Sequence, residues 1–513
     1  MAGRKYTSQS VPSAHILLNG GLNSTAGPLG VADNESTDIQ NIDFDKFGSI
    51  LKRNGYASLN STALNSSAGS NGLWWFEYND SGTATRKLIN ISGTKIYKMD
   101  DLDGTWDDIT SGISITDGNF CDFENFLNTV YITNGEDPPF RWTPATHTNA
   151  SIFEDVPTNL TDARFVKQFS NYLFIGNIIL SSGTHPSRIY WSNLKDTGTW
   201  GATDFIDVAK DDGTEITGLK VLSDRLVIYK TRSIYNLFFT GDSAIPFVLP
   251  GGGKSNSSVG CIAPYTIQDV ENGHVFLSHD GLYFYDGNNS FKVSDKVNET
   301  LLGKTALDKA RSLVQKNKHR YWLATTPSGD TQNNDIIVWD FFHNAFSIYE
   351  GFSANAMTTV WESGINERPY FTDYRGFTYR ADTGTNDHPL GVTNAVDAYF
   401  YTNWKHFGDL IDQKGIPHVT LYHRIETSTL NFAYSYDLEE NDTFSQSITL
   451  GTSGDTYGAG AYGTATYATS GGAVRRIDLD GRGRVARFKF QNDRVGESFR
   501  VEGFGTMPHL ETI

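Results

Sequence analysis

Residues 275–287 read VFLSHDGLYFYDG: a run of strand-forming residues, a polar turn that contains Gly281, and a second run that reaches Tyr285. Two further stretches have the same order, LINISGTKIYKM at residues 88–99 and YFTDYRGFTYRAD at residues 370–382. Glycine adopts the positive φ of a tight turn without strain, and aromatic residues suit a half-buried pleated surface. Each stretch therefore predicts two antiparallel strands joined by a short turn.

Comparable turns recur along most of the chain, near residues 93, 135, 171, 224, 281, 330 and 376. Their spacing is close to the roughly 40 to 50 residues that a four-stranded propeller blade occupies. The sequence therefore predicts an all-β fold, with a β-propeller of six or seven blades over residues 61–400. The alternative is a series of unrelated hairpins in a β-sandwich.

Other segments depart from this pattern. In residues 294–316 apolar residues recur every three or four positions, which predicts one helix inserted between blades, with Ser294 as its N-cap. Residues 1–60 are polar and predict an extended N-terminal arm that docks on the rest. Residues 401–513 predict a C-terminal β-rich domain, in which the Gly/Ala/Ser/Thr/Tyr tract at 454–472 favours a long loop or flat hairpin.

The composition limits the class of protein. Of 513 residues, 38% are hydrophobic and 13% aromatic, so most of the chain can bury a core and is not disordered. With 42 basic and 59 acidic residues the net charge is −17, which argues against a protein that grips nucleic acid through its phosphates. The sequence predicts neither an export signal nor a membrane span. Cys121 and Cys261 allow at most one disulfide and no thiolate zinc site.

One short motif invites a phosphate-binding interpretation. GGGKS at residues 251–255 ends like a phosphate loop, but Val248 stands where that motif needs a glycine, and no amphipathic helix follows. The better prediction is a loop between blades, formed by Gly251, Gly252, Gly253, Lys254 and Ser255. HExxH, HxH and GxSxG spacings are absent from the sequence, so we expect no catalytic site, metal or cofactor.

A carbohydrate-active propeller is the alternative function. SNLKDTGTW at residues 192–200 and DLDGTW at residues 101–106 resemble the Asp-box turns of sialidase-type propellers, in which Asp closes a turn and Trp packs between strands. A sialidase also needs arginines that bind the substrate carboxylate. Arg188, Arg225 and Arg320 are present, but their spacing does not join them into a site. The alternative thus includes a carbohydrate-binding or a sialidase-like protein.

The C-terminal region reverses the charge of the chain. Residues 471–500 contain eight basic and four acidic residues. Such a patch is typical of a surface that meets an acidic neighbouring subunit, because opposite charges steer and register assembly. Scattered solvated arginines or a DNA contact are the other interpretations. The candidate contact residues are Arg475, Arg476, Arg482, Arg484, Arg487 and Lys489.

Three stretches carry a resemblance to a known family. Residues 18–56 combine a Gly-Gly-Leu-Asn entry, an Asn-Ile-Asp-Phe-Asp run and a Lys-Arg-x-Gly-Tyr ending. Residues 188–241 run from RIYWSNLKDTGTW to IYNLFFTG, and residues 118–142 form a weaker third match. Together they resemble the tail-nozzle or tail-hub propeller proteins of short-tailed bacteriophages, also called tail accessory or stabilisation proteins. The resemblance covers most of residues 18–400.

This resemblance implies a structural virion protein, made in the host cytoplasm, without enzymatic activity. It implies a homohexameric ring below the portal–adaptor complex that closes the DNA exit channel and anchors tail fibres, spikes or a needle. Double-stranded DNA would pass through transiently without specific binding, as expected of a net-acidic wall. The loop at residues 251–255 would then be a candidate gate of the channel. An outer-surface receptor-binding tail protein is the closer competitor.

Overall fold

The computed structural model describes residues 15–154, 156–363, 366–408, 410–451 and 472–510. Within these ranges the chain forms seven four-stranded antiparallel sheets in succession, numbered sheets 1 to 7, and two larger sheets. Each of the seven turns noted in the sequence falls in a different one of the seven sheets. Strands dominate because β-branched and aromatic residues alternate with Gly, Asn and Asp turns every few positions.

Each of sheets 1 to 7 has four strands that are hydrogen-bonded to one another in a simple linear order. Sheet 1 consists of Ser70–Asp80, Thr83–Ser92, Lys95–Asp100 and Trp106–Asp108, and sheet 2 of Asp122–Phe126, Thr129–Thr133, Phe140–Trp142 and Ser151–Ile152. Sheet 3 consists of Leu160–Phe169, Tyr172–Leu180, Gly183–Trp191 and Phe205–Asp207, and sheet 4 of Ile216–Leu222, Arg225–Lys230, Ile234–Phe239 and Phe247–Val248. Sheet 5 consists of Gln268–Val270, Gly273–Ser278, Gly281–Tyr285 and Ser290–Lys292, and sheet 6 of Arg311–Gln315, Arg320–Thr325, Asp335–Asp340 and Ala345–Tyr349. Sheet 7 consists of Ala356–Ser363, Asn366–Thr372, Thr378–Ala381 and Tyr56–Ser58.

The seven sheets close into a ring, and the fold is a β-propeller. The first strands of neighbouring sheets lie side by side. Between sheets 4 and 5 the contact is made by Ile267 and the 3₁₀ turn Pro264–Thr266, which precede the first strand of sheet 5. The first strand of sheet 7 lies beside that of sheet 1. Sheet 7 takes its outermost strand, Tyr56–Ser58, from the N-terminal part of the chain. Strand exchange of this kind ties the two ends of the ring together.

Apolar side chains fill the space between neighbouring sheets. Phe76 and Ile91 of sheet 1 meet Val130, Ile132 and Trp142 of sheet 2 in one buried cluster. Similar clusters join sheets 3 and 4, 4 and 5, and 6 and 7. Burying each large apolar side chain contributes about 1.5–3 kcal/mol. The ring is therefore held mainly by non-directional burial between sheets.

The remaining strands form a sandwich beside the propeller. Its six-stranded sheet consists, in order, of Gly21–Leu22, Glu35–Gln40, Ala398–Thr402, Ala486–Asn492, Thr429–Tyr436 and Phe444–Thr449. Its five-stranded sheet consists of Ile42–Phe44, Ile50–Lys52, Arg500–Thr506, His418–Arg424 and Gly472–Asp478. The two sheets pack through aromatic rings, and the ring centroids of Phe488 in one sheet and Phe504 in the other are 5.5 Å apart. This agrees with the expected C-terminal β-rich unit, although N-terminal strands complete it.

Short elements complete the described chain. Two small sheets pair Asn386–Asp387 with Asn394–Ala395, and Lys414–Gly415 with Arg482–Gly483 and His509–Leu510. Besides one α-helix, Asn298–Leu302, the chain has 3₁₀ turns at Leu64–Ser67, Pro250–Gly252, Pro264–Thr266, Asp295–Val297, Leu307–Lys309, Lys316–Lys318 and Pro389–Gly391.

The inserted helix predicted for residues 294–316 is only partly present. The α-helix covers Asn298–Leu302, whereas Arg311–Gln315 is the first strand of sheet 6. All five residues of that strand are buried, because an inner propeller strand is covered on both faces. Continuous burial of this kind produces apolar spacings that imitate a helical period. Ser294 does not cap the helix; its hydroxyl accepts a hydrogen bond from the Leu282 amide.

The prediction of an extended arm over residues 1–60 is wrong for the described residues of this segment, which form strands of three sheets. Gly21–Leu22 and Glu35–Gln40 belong to the six-stranded sheet, and Ile42–Phe44 and Ile50–Lys52 belong to the five-stranded sheet. Tyr56–Ser58 completes sheet 7 of the propeller. These strands are short and bounded by polar turns, so their signal in the sequence is weak. The segment links the sandwich to the propeller rather than extending away from them.

Candidate functional site

Residues 41–55, part of the first stretch quoted for the resemblance, lie at the junction of the propeller and the sandwich. Arg53 is 2% exposed, and its guanidinium forms two hydrogen bonds with the Asp387 carboxylate, at 2.9 and 2.7 Å. Its Nε donates to the Asn41 side-chain oxygen at 2.7 Å, and Nη2 donates to the Glu350 carbonyl at 2.9 Å. The guanidinium also lies over the Phe352 ring, 4.6 Å from its centroid. A planar bidentate pair of this kind fixes orientation as well as distance.

A second buried pair lies beside the first. Asp43 forms an ion pair with Arg320 of sheet 6 at 3.0 Å and accepts a hydrogen bond from the Tyr349 hydroxyl. Burial raises the pKa of Tyr349 well above its usual value, while the Asp43 charge helps to raise the pKa of Arg320 despite burial. The Asn41 amide donates to the Ile348 carbonyl at 2.7 Å. The Asn-Ile-Asp-Phe-Asp run therefore binds one edge of sheet 6.

Two neighbours of Arg53 complete the junction. Lys52 is 2% exposed, and its ammonium donates to the Asn492 side-chain oxygen at 2.8 Å and to the Arg494 carbonyl at 3.1 Å. Burial, reinforced by the adjacent Arg53 charge, lowers the pKa of Lys52 to about 8. Gly55 touches the facing backbone so closely that a Cβ there would lie 1.8 Å from the Asn386 carbonyl oxygen. The Lys-Arg-x-Gly ending thus has a structural use at every named position.

The GGGKS loop is anchored on sheet 4. Gly251 and Gly252 are exposed and belong to a 3₁₀ turn, whereas the Gly253 carbonyl accepts from the Asn236 amide at 2.8 Å. The Ser255 amide donates to the Ile234 carbonyl at 3.0 Å, and Lys254 forms an isolated bridge with Tyr235. These partners belong to the third strand of sheet 4, away from the first strands at the ring centre. The loop therefore lies on the third strand of sheet 4, and its role as a channel gate stays a prediction.

The six candidate contact residues are divided between surfaces. Arg475 and Arg476 are exposed on the strand Gly472–Asp478, which forms an edge of the five-stranded sheet in the described residues. Arg482 and Arg484 are exposed near the adjacent small sheet. Arg487 and Lys489 are half-buried on the six-stranded sheet.

The last two residues already have partners within the chain. The Arg487 guanidinium lies over Tyr401 and Trp404, at 4.4 and 4.7 Å from the ring centroids, and Lys489 pairs with Asp442 at 3.4 Å. Arg476 pairs with Asp478 at 2.8 Å, but both side chains are strongly exposed. The candidate surface is therefore best defined by Arg475 and Arg476 on the edge strand. The tract at residues 454–472 lies outside the described residues except for its last position.

The features that suggested a carbohydrate-active protein have structural explanations. Asp196 accepts a hydrogen bond from the Gly198 amide at 2.9 Å, and Trp200 packs 6.3 Å from Phe153, as expected for Asp-box turns. The three arginines considered for substrate binding have separate carboxylate partners. These pairs are Arg188 with Asp207, Arg225 with Asp224 and Arg320 with Asp43.

The described residues contain no group of three or more His, Cys, Asp and Glu side chains suited to a metal ion. Cys121 and Cys261 are both buried and unpaired, and burial raises the pKa of each thiol. In the part of the chain covered by the structure, no helix combines the length and apolar character needed to cross a bilayer.

A cavity of about 480 Å³ lies at the centre of the ring and was not foreseen from the sequence. Side chains of all seven sheets line it. Among them are Trp74, Phe165, Lys220, Gln268, Leu313 and Met357. Arg311 also lines this cavity and is 4% exposed. The sequence signal was hidden because Arg311 falls in the segment predicted to be helical, where its position suggested a solvated face.

Comparisons with known proteins identify no family for this chain. No family model and no curated protein matches the sequence. Among solved structures the chain is similar to YCF48 bound to D1 peptide, with 12% identity over 69% of this chain and 100% of that chain, and a TM-score of 0.41. It is also similar to BBS1N in complex with ARL6DN, with 11% identity over 64% of this chain and 97% of that chain, and a TM-score of 0.41. A third similar structure is the computationally designed Ika8 protein, with 11% identity over 72% of this chain and 100% of that chain, and a TM-score of 0.36.

Proposed function

We propose that this chain is a non-enzymatic structural protein of a phage tail, a nozzle or hub subunit that assembles into a ring, expected to be a hexamer. In this proposal the ring lies below the portal–adaptor complex, closes the DNA exit channel and holds fibres, spikes or a needle. It belongs to the virion tail and is made in the host cytoplasm. DNA passes without specific binding, in keeping with a protomer charge of −17.

The observation that carries the proposal is the use made of the resembling residues. Asn41, Asp43, Arg53 and Gly55 join propeller and sandwich through buried, directional contacts. A motif shared with a structural family is expected to preserve such a joint, because the relative position of two domains determines how protomers fit in a ring. Asp43 also lines a cavity of about 360 Å³, but its carboxylate is already bound by Arg320 and by the Tyr349 hydroxyl.

An exposed strand edge supplies a contact between protomers in this proposal. The strand Gly472–Asp478 pairs on one side only within the described residues, and Val474 is 65% exposed beside Arg475 and Arg476. Uncovered edges with apolar side chains tend to pair with other chains. Two exposed arginines restrict that pairing to an acidic partner, and the rest of this chain is strongly acidic. A second copy of the chain satisfies this requirement.

The mass of the purified chain tests the proposal. Native mass spectrometry and sedimentation should give an oligomer of six times the 56.8 kDa chain mass, and electron micrographs should show rings with a central opening. A chain that stays monomeric in both measurements, also with the connector proteins present, would rule out the ring. Turnover of a fluorogenic sialoside by that monomer would instead establish the carbohydrate-active alternative.

Charge reversal tests the contact. We expect Arg475→Glu/Arg476→Glu to dissociate the oligomer at low salt, because two repulsive charges would then face an acidic neighbour. The matched control is Lys195→Glu/Lys309→Glu, which makes the same change of charge at exposed positions of the propeller. Equal oligomerisation of both variants would exclude the edge strand as the contact and leave the ring itself to the mass measurement.

A further inference from the structure

The central cavity contains a buried cation held in a specific geometry. The Arg311 guanidinium lies 3.3 Å from the centroid of the Phe120 ring and 4.6 Å from that of the Tyr265 ring. The Tyr265 hydroxyl donates to the Phe120 carbonyl at 2.7 Å, which ties the two aromatic residues together. Because both rings and Arg311 line the cavity, this aromatic clamp presents a fixed guanidinium to its interior.

The charge of Arg311 is only partly compensated within the chain. Its Nη1 donates to the Ala310 carbonyl at 3.0 Å, whereas Nε is buried without a hydrogen-bond partner. In the described residues no carboxylate lies within ion-pair distance of this guanidinium. Leaving a buried donor unsatisfied costs about 1–3 kcal/mol, and more when the group is charged. An unsatisfied buried donor of this kind calls for an explanation, and a bound acceptor is one.

The other charged groups of the cavity do not neutralise Arg311. The Asp122 carboxylate is directed away from Arg311 and accepts from the Val166 amide at 3.0 Å, and burial raises its pKa to about 6. Asp269 is paired with His274 at 3.2 Å and is further stabilised by the charge of Lys220. Arg164, whose positive charge acts on Arg311, pairs with Glu215 at 3.3 Å. Glu77 and Glu367 also line the cavity, but they are bound by Arg86 and by the Asn317 amide, so none of these carboxylates is paired with Arg311.

We propose that the central cavity binds a small carboxylate-bearing molecule, with Arg311 as its anchor. A carboxylate fits the planar fork of a guanidinium and can accept from Nε. The volume of about 480 Å³ is within the range of roughly 300–1,000 Å³ that small-molecule sites occupy. The wall formed by Trp74, Leu313 and Met357 offers apolar surface for the body of the ligand. This site is independent of the proposed role in a tail ring.

Phenylacetate is a suitable probe because it joins a carboxylate to an apolar ring, and phenylacetamide is its neutral counterpart of nearly the same shape. We expect saturable phenylacetate binding by calorimetry, with a rise in melting temperature as ligand binding to the native state requires. Phenylacetamide should bind at least about tenfold more weakly, since the charge-assisted hydrogen bonds are lost. Inorganic phosphate serves as a second anion, and binding of phosphate without phenylacetate would overturn the carboxylate assignment.

Variants locate the binding. Arg311→Gln should weaken phenylacetate binding about tenfold or more, whereas Arg475→Gln, which removes an exposed arginine of the sandwich, should leave it unchanged. Equal binding by both variants, or absence of binding by the native chain at millimolar phenylacetate, would overturn the proposal.

A structure of the native chain with phenylacetate provides a readout that does not depend on the folding of a variant. The carboxylate is expected within hydrogen-bonding distance of Arg311 Nε. Its occurrence only elsewhere, or as an adventitious additive only, would overturn the site.

Discussion

The interfaces between the sheets of the propeller and the junction between propeller and sandwich are built from different forces. Neighbouring sheets meet through clusters such as Phe76, Ile91 and Trp142, which exclude water without strict geometry. The junction instead depends on Arg53 with Asp387 and on Asp43 with Arg320, whose charges are buried and need fixed distances. Both regions are buried, but only the interactions at the junction depend on the relative orientation of the interacting groups.

This difference predicts that the two regions tolerate substitution to different degrees. Apolar residues of similar size replace one another in a core at low cost, so successive sheets need not share a sequence. A bidentate arginine pair tolerates no such exchange, because a lysine in place of the arginine, or a longer acid in place of the aspartate, does not reproduce both hydrogen bonds. Residue identity is therefore restricted most strongly where the molecule fixes the relative position of its two parts.

The largest expected effect comes from breaking one buried pair. Arg53→Met should lower the free energy of unfolding by about 3–5 kcal/mol, because Asp387 would be left charged and unpaired in the interior. Urea unfolding followed by tryptophan fluorescence and by circular dichroism measures this change. The matched control is Arg476→Met, whose pair with Asp478 is solvent-exposed and should contribute only about 0–1 kcal/mol.

A double variant separates the pair from the packing around it. Arg53→Met/Asp387→Leu removes both charges and should regain much of the stability lost in Arg53→Met, since apolar replacements of a buried pair are often neutral. Similar losses for Arg53→Met and Arg476→Met would contradict the contrast between the junction and exposed charges.

A smaller loss is expected where the junction requires close backbone contact. Gly55→Ala should lower the free energy of unfolding by about 1–3 kcal/mol, since its Cβ would overlap the Asn386 carbonyl and force the backbone apart. The same measurement on Gly27→Ala provides the control, because a Cβ at that position meets open space. A loss in Gly27→Ala as large as that in Gly55→Ala would show that the effect is not one of contact.

The propeller class could be predicted because its signal is local and repeated. Turns that contain Gly93, Gly281 and Gly376 separate β-forming runs, and each forms a hairpin turn in the structure. The inner strand Arg311–Gln315 could not be recognised, since burial on both faces removes the alternation that identifies a strand. Tyr56–Ser58 could not be assigned to sheet 7 because its partner, Thr378–Ala381, is more than three hundred residues away.

The candidate sites were predicted less completely. A cluster of arginines is visible in sequence, but the strands that separate Arg475 from Arg487 onto different sheets are not. The GGGKS loop could be predicted to connect two blades, but its hydrogen bonds with the Asn236 and Ile234 backbone could not. Arg311 had no signal at all, because its clamp combines Phe120 and Tyr265 from two other parts of the chain.

The pH dependence of the free energy of unfolding tests the junction while its ion pairs stay intact. Burial lowers the pKa of Lys52 to about 8 from its unfolded value of 10.5, so the unfolded state binds more protons between these values. The free energy of unfolding should therefore rise as the pH increases through that window. The raised pKa of Tyr56 opposes the gain above pH 10.

Comparison with a variant isolates the contribution of the lysine. Lys52→Met should flatten the rise between pH 8 and 10, whereas Lys309→Met, at an exposed position, should leave the pH profile unchanged. Parallel profiles of the native chain and Lys52→Met would mean that the ammonium is solvated in the native state.

The last expected effect concerns the propeller ring. It is a gain in stability, whereas breaking a buried ion pair at the junction lowers stability. Asp162, on the first strand of sheet 3, is 4% exposed, and burial together with Glu136 and Asp137 raises its pKa to about 6. Between its unfolded pKa of 3.8 and this value the native state binds more protons, so stability falls as the pH rises through that window. Asp162→Asn should therefore stabilise the protein at pH 7 and do so less at pH 4. A loss of stability at pH 7 would place a compensating partner beside Asp162 and make this part of the ring resemble the junction.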